Sequence, residues 1–333
     1  KLGWNYADDA RLGVTYERYK DDRDQNILSA VGGPFIPGFG GMGYYKARNG
    51  NDTITRERFG INHEFGLDSV VADQVKWSLN YQIAKTDQHT EEVYAPPGRQ
   101  VLRTRDTTYK DRQWVFDAQP DKAFSIGATD HLLTYGTTLK HEKVTGSRSG
   151  TGTCLTIGSG CTTIGADRPA DGQALVSDFP DPTVNTYSLF VQDEIRWNNW
   201  TFMPGARYDY TRMAPKFTEE FLRGLASTGT APTSQDDSDK KWHRVSPKFG
   251  LTYAFNDNYT WYGQYAEGFR TPTAKAMYGR FENIEQGYRV EGNPNLEPEK
   301  SKSYETGLRG NFDAGNFDVG VFYNKYRDFI DED

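Results

Sequence analysis

The residues able to do chemistry in this chain are few and mostly scattered. Two cysteines, Cys154 and Cys161, share one Gly/Ser/Thr-rich stretch, SGTGTCLTIGSGCTTIG. It holds no histidine, and two thiols are too few ligands for a zinc site. A small disulfide loop, formed in an oxidising compartment, is the expectation. The five histidines, His63, His89, His131, His141 and His243, form no HxH or HxxxH pair. Acidic residues are abundant but sit on alternating segments or in loops, where solvation is their default. No Gly-rich phosphate loop follows a strand and opens a helix. Enzyme activity is therefore not expected.

One run is denser. Tyr259 to Phe269 reads as a strand that Thr271-Pro272 ends, because proline cannot continue a ladder. Asn293-Pro294-Asn295-Leu296 forms a turn, and Glu297-Pro298-Glu299-Lys300 leads into a strand over Ser301–Phe312. The loop between them is made of Tyr, Arg, Glu and Asn.

The elements that must position this run are strands. In VKWSLNYQI, Val75, Trp77, Leu79, Tyr81 and Ile83 alternate with Lys76, Ser78, Asn80 and Gln82. Tyr187–Trp197, Phe249–Phe255 and Phe317–Tyr323 repeat the period of two. Helical periodicity is nearly absent. A soluble β-sandwich would also alternate, but the links separate the two cases. Short links near Ala7–Ala10, Leu67–Ser69, Gly127–Asp130, Asn198–Trp200, Asn256–Asn258 and Asp313–Gly315 take turns with long ones at about 25–52, 96–103, 148–182, 214–241 and 273–299. Strict alternation of tight turns and long loops is the pattern of an up-and-down transmembrane β-barrel, and about twelve strands are expected. Tyr and Trp near strand ends fit interface belts.

Composition agrees. Hydrophobic residues make up only 36% of the 333, whereas 14% are aromatic, and there are 34 Gly. Such a chain suits strands wet on one face better than a soluble core. No apolar run approaches the ~18 residues of a membrane helix, so any crossing is by strands. The net charge of -7 and the even spread of basic residues predict no nucleic-acid partner. The segment VGGPFIPGFGGMGYY, residues 31–45, either binds something or packs over the barrel mouth.

The boxes F-R-x-P (Phe269, Arg270, Thr271, Pro272) and N-P-N-L (Asn293, Pro294, Asn295, Leu296), the second followed by E-P-E-K-S, resemble TonB-dependent outer-membrane receptors of the haem/haemoglobin type. The resemblance runs over essentially the whole chain. It implies an all-β antiparallel barrel of about 22 strands with a plug. Residues 1–333 are then expected to be a partial barrel domain without that plug, with strands missing on both sides. It implies uptake of haem, free or from a haemoprotein or hemophore, with no intrinsic cofactor. Its expected partners are the haem carrier, TonB acting through the plug region, and the lipid of the Gram-negative outer membrane. Members usually carry a haem-binding histidine between the boxes, and residues 273–292 hold none. Some use tyrosine there, which points to Tyr288 beside Arg289, then to Tyr278 flanked by Arg280. A phenolate can ligate ferric iron, and a nearby Arg lowers its pKa. Phe281 would support the loop, or both tyrosines simply pack on it. The alternatives are a ferric-siderophore receptor and a passive porin or adhesin.

Overall fold

In the computed structural model, the described residues are 1–32, 45–95, 100–156, 175–227, 237–283 and 288–331. Twelve strands form one antiparallel sheet: β1 (Leu2–Ala7), β2 (Ala10–Asn26), β3 (Tyr45–Gly66), β4 (Gln74–Tyr94), β5 (Val101–Ile126), β6 (Thr129–Cys154), β7 (Asp181–Trp197), β8 (Trp200–Lys216), β9 (Lys240–Ala254), β10 (Tyr259–Arg270), β13 (Glu299–Phe312) and β14 (Gly315–Arg327). Each pairs with the next in this order. A two-stranded ribbon, β11 (Arg280–Asn283) with β12 (Tyr288–Glu291), stands inside the last long link. The expected all-β meander of about twelve strands is what forms.

The ladder assigns the two faces. Ile61, Leu79, Phe116, Leu139 and Tyr187 are successive cross-strand partners. Tyr16, Phe59, Tyr81 and Trp114 make a parallel row nearer the long links. Tyr265, Tyr304 and Tyr323 make a further aromatic row at the far end of the sheet. The other face is polar and internally bonded. Thr138 donates to Asp117 at 2.8 Å, Arg207 donates to Asp209 at 2.8 Å, and Tyr262 donates to Asp318 at 3.1 Å. Exposed apolar residues such as Leu189, Val245 and Val319 lie on the first face, which makes it the lipid-facing one.

β5 and β6 are each 26 residues long, well past the ~10 needed to cross a bilayer, so they extend beyond it on the long-link side. There the structure departs from the expected loops. The link at 214–241 contains a helix, α1 (Glu219–Ser227), and the link at 273–299 contains α2 (Ala274–Tyr278) and the ribbon. Phe221, Leu222 and Leu225 give α1 one apolar stripe, too short to register as helical periodicity. Ladder bonds also carry β6, β8 and β9 into the expected link margins, to Cys154, Lys216 and Lys240. Most of the segment 31–45 lies outside the described residues, as does Cys161.

The face assignment makes neighbouring residues respond oppositely. Val191→Arg, in the middle of the lipid belt, is expected to cost about 2–4 kcal/mol of folding stability in liposomes. Gln192→Arg, one residue along on the polar face, is expected to be tolerated. Urea unfolding of the full receptor measures both, and equal costs would contradict the assignment.

Candidate functional site

The two sequence boxes meet. Arg270 ends β10 and Glu299 opens β13 as its cross-strand partner. The Arg270 guanidinium reaches Glu299 through Nη2–Oε1 at 2.8 Å and Nε–Oε2 at 2.6 Å, a bidentate clasp at the base of the loop. Glu299 also accepts the Ile330 amide at 2.9 Å. Phe269 precedes the clasp, paired with Lys300. Pro272 is buried where the ladder stops. Thr273 then caps α2, accepting the Ala276 amide at 3.1 Å.

The second box folds back on α2. Asn293 Oδ1 accepts the Asn295 amide at 2.9 Å, an Asx turn that leaves Pro294 and Asn295 exposed and sends Leu296 onto the buried cluster. The Gly292 amide donates to Gly279 at 2.6 Å, and the Asn293 amide to Ala276 at 3.0 Å. A Cβ on Gly292 would lie 2.6 Å from the Met277 carbonyl carbon, so only glycine allows this approach.

Three long links converge on that spot. Met213, Phe221, Leu225, Ala274, Met277 and Tyr278 form a buried cluster from β8, α1 and α2. The segment before β7 ties in as well. Asp178 takes the Arg148 guanidinium at 2.8 Å and the Arg280 amide at 2.7 Å, and the Ser177 amide donates to Glu220 at 3.0 Å. A Cβ at Gly224 of α1 would meet the Ser177 carbonyl oxygen at 2.6 Å. The result is a cap of packed loops over the rim of β6–β10.

Beneath the cap is a cavity of about 320 Å³ on the polar face. Its wall is largely apolar, with Tyr109, Phe179, Val184, Met213, Trp242 and Pro272, and it carries Glu142 and Lys275. Tyr109 and Phe179 lie 6.1 Å apart, centroid to centroid. Glu142 is held by Lys140 at 2.7 Å. Asp111, three residues beyond Trp114 toward the cap and so outside the lipid belt, is pushed up to about 6 by burial and by the Glu142 charge. Burial, Asp111 and Glu142 raise the Tyr109 phenol. Burial foremost, then Glu220, raises Asp181 at the entry to β7. The largely apolar wall, with Glu142 and Lys275 at its edge, suits a flat or apolar ligand edge. Among the described residues no group of three or more His, Cys, Asp or Glu could hold a metal ion.

The candidate ligands lie around this cap. Tyr278 is 1% exposed, with its ring 5.9 Å from Phe217, so in this conformation it is packing in the cluster. Arg280 donates to Glu291 at 2.6 Å across the ribbon. The backbones of Phe281, Tyr288 and Arg289 lie in that ribbon opposite Val290, Asn283 and Glu282. Cys154 closes β6, and its expected partner Cys161 lies outside the described residues. The cavity residues were not singled out from sequence. The signal for them is an apolar residue at a polar-face position near the long-link end of a strand, as at Val144, Val184, Met213 and Trp242.

A family model described as TonB dependent receptor-like, beta-barrel, matches residues 3–333, and the chain belongs to that family. These are transport receptors of the Gram-negative outer membrane. The chain is 25% identical over 362 aligned residues to hemoglobin-haptoglobin utilization protein B of Neisseria meningitidis serogroup C, covering 99% of this chain and 40% of that protein. It is 33% identical over 117 residues to the probable hemoglobin and hemoglobin-haptoglobin-binding protein 4 of Haemophilus influenzae, covering 35% of this chain and 11% of that one. Among solved structures, the unliganded ferric citrate transporter FecA aligns with a TM-score of 0.59 at 15% identity, over 99% of this chain and 42% of that one. FpvA of P. aeruginosa, bound to a heterologous ferripyoverdine, aligns at 0.61 and 13%, over 97% and 40%. These structural likenesses show the fold. The chain spans 40% of the length of its Neisseria relative.

Two outcomes follow for the cap. Gly292→Val is expected to push α2 off the second box at a cost of about 1–3 kcal/mol, read as faster proteolysis near residues 274–298 with the barrel intact. Unchanged proteolysis would contradict the close approach. Asp111 binds its proton more tightly in the folded state than unfolded, so its contribution to stability falls as pH rises from ~4 through about 6. The thermal midpoint of the parent relative to Asp111→Asn is therefore expected to drop between pH 5 and pH 7, both as assay settings around that value. A difference independent of pH would contradict the buried acid.

Proposed function

We propose that this chain is the barrel portion of a receptor that captures haem from haemoproteins and passes it inward with energy supplied by TonB. The observation that carries the reading is the sequence likeness to a hemoglobin-haptoglobin utilization protein along 99% of this chain. The spacing of the F-R-x-P and N-P-N-L boxes supports it. So does the aromatic, largely apolar cavity, whose chemistry suits the apolar edge of a porphyrin. Haem is the cargo here, not a resident cofactor, and its source would be a haem-carrier protein seated on the cap.

Tyr288 is the proposed iron ligand, with Arg289 next to it in the chain. Its strand, β12, stands in the ribbon between the two boxes, within the loop that rises from the clasp. Tyr278 is the weaker candidate, because the cluster would have to open to release its ring. Cys154 and Cys161 are proposed to close the loop after β6 as a disulfide. The alternative cargo is a ferric siderophore.

Titrating haemin into the purified full-length receptor tests the proposal. A shifted Soret band with a tyrosinate charge-transfer feature is expected, lost in Tyr288→Phe and kept in Tyr278→Phe. An unshifted Soret band in the parent would sink the haem reading. A shift that survives Tyr288→Phe would leave haem and remove this ligand.

A further inference from the structure

The lipid-facing wall changes character sharply on the cap side of the Tyr81–Trp114 row, where those two rings stack at 4.5 Å. The next outward-facing positions on β5 and β6, Arg112 and Lys143, are basic, and Lys85 and Lys110 follow one row on, past Ile83 of β4. Arg112 is the direct cross-strand partner of Lys143, and Lys85 that of Lys110. Like charges placed directly opposite each other destabilise a sheet, and here two such pairs sit on adjacent rows. Lys85 has an acid of its own, Asp87, at 2.6 Å. Thr108 already donates to that carboxylate at 2.7 Å. Lys110, Arg112 and Lys143 make no salt bridge or hydrogen bond among the described residues. Asp87 and Asp181 act on Lys110 and Lys143 only through space. Three cations therefore remain unmatched, on half-exposed side chains.

Their height is informative. Long links lie on the extracellular side of such barrels, so this row faces the outer leaflet just above its acyl region. Phosphate-bearing headgroups occupy that level. An anion between the strands would relieve both like-charge pairs, and the Arg112 fork can take two phosphate oxygens at once. Free phosphate would gain nothing from the rings directly below, whereas a lipid fills both zones.

We propose that the outer wall of β4–β6 is a binding surface for phosphorylated outer-leaflet lipid, with Lys110, Arg112 and Lys143 holding its phosphates and Tyr81 and Trp114 lying against its acyl chains. Native mass spectrometry of the full-length receptor titrated with bis-phosphorylated lipid A tests it. The combined variant Lys110→Gln, Arg112→Gln, Lys143→Gln is expected to bind about a hundred-fold more weakly, from roughly five-fold per cation near a charged surface. Lys76→Gln with Arg196→Gln, charge losses at the short-link end of the barrel, is expected to stay within about two-fold of the parent, since those cations lie at the opposite end of the strands from the patch. Both variants must show the parent's heat-modifiable migration on gels, which reports an intact barrel. Lipid A binding by the triple variant equal to the parent's would overturn the proposal. So would equal binding of dephosphorylated lipid A by the parent, or displacement of the lipid by millimolar inorganic phosphate.

Discussion

The twelve strands of the main sheet answer to one constraint: hydrocarbon offers no partner for a backbone amide or carbonyl. The ladder must therefore be unbroken across the bilayer, and it is, from β1 to β14 in chain order. Once the ladder is fixed, side chains have only two directions. One face takes Ile61, Leu79, Phe116 and Leu139 in register, and the other takes Asp117, Thr138, Ser188 and Asp209, which bond to one another. The low hydrophobic content follows, because half of each strand never meets lipid.

The constraint relaxes at the long-link ends, and the cap and its cavity form there. Strands outrun the bilayer, so apolar residues can turn inward, and Val184, Met213 and Trp242 do. They give α1 and α2 a surface to pack on. The Arg270–Glu299 clasp and the Gly292 approach then hold a loop that would otherwise be free to splay. The family boxes are thus architectural: they set the base and the fold-back of the cap.

The barrel was legible in the sequence because period-two alternation and the link pattern are local signals. VKWSLNYQI and YSLFVQDEIRW state their faces outright. The cap was less legible. Helix α1 has a single apolar stripe of three residues, and α2 is five residues long, so neither shows a period. Tyr278 reads as a loop aromatic until α1 is placed against it, where it is buried in the cluster. Asp111 and Glu142 look like ordinary polar-face acids. Their coupling depends on burial that no local pattern encodes.

The central claim is that this cap and barrel serve haem capture, and cellular iron supply measures it most directly. In iron-starved Gram-negative cells whose only receptor of this kind is the full-length protein, growth on haemoglobin as the sole iron source is predicted. The growth should require TonB. Growth on a ferric siderophore without growth on haemoglobin or haem would contradict the account.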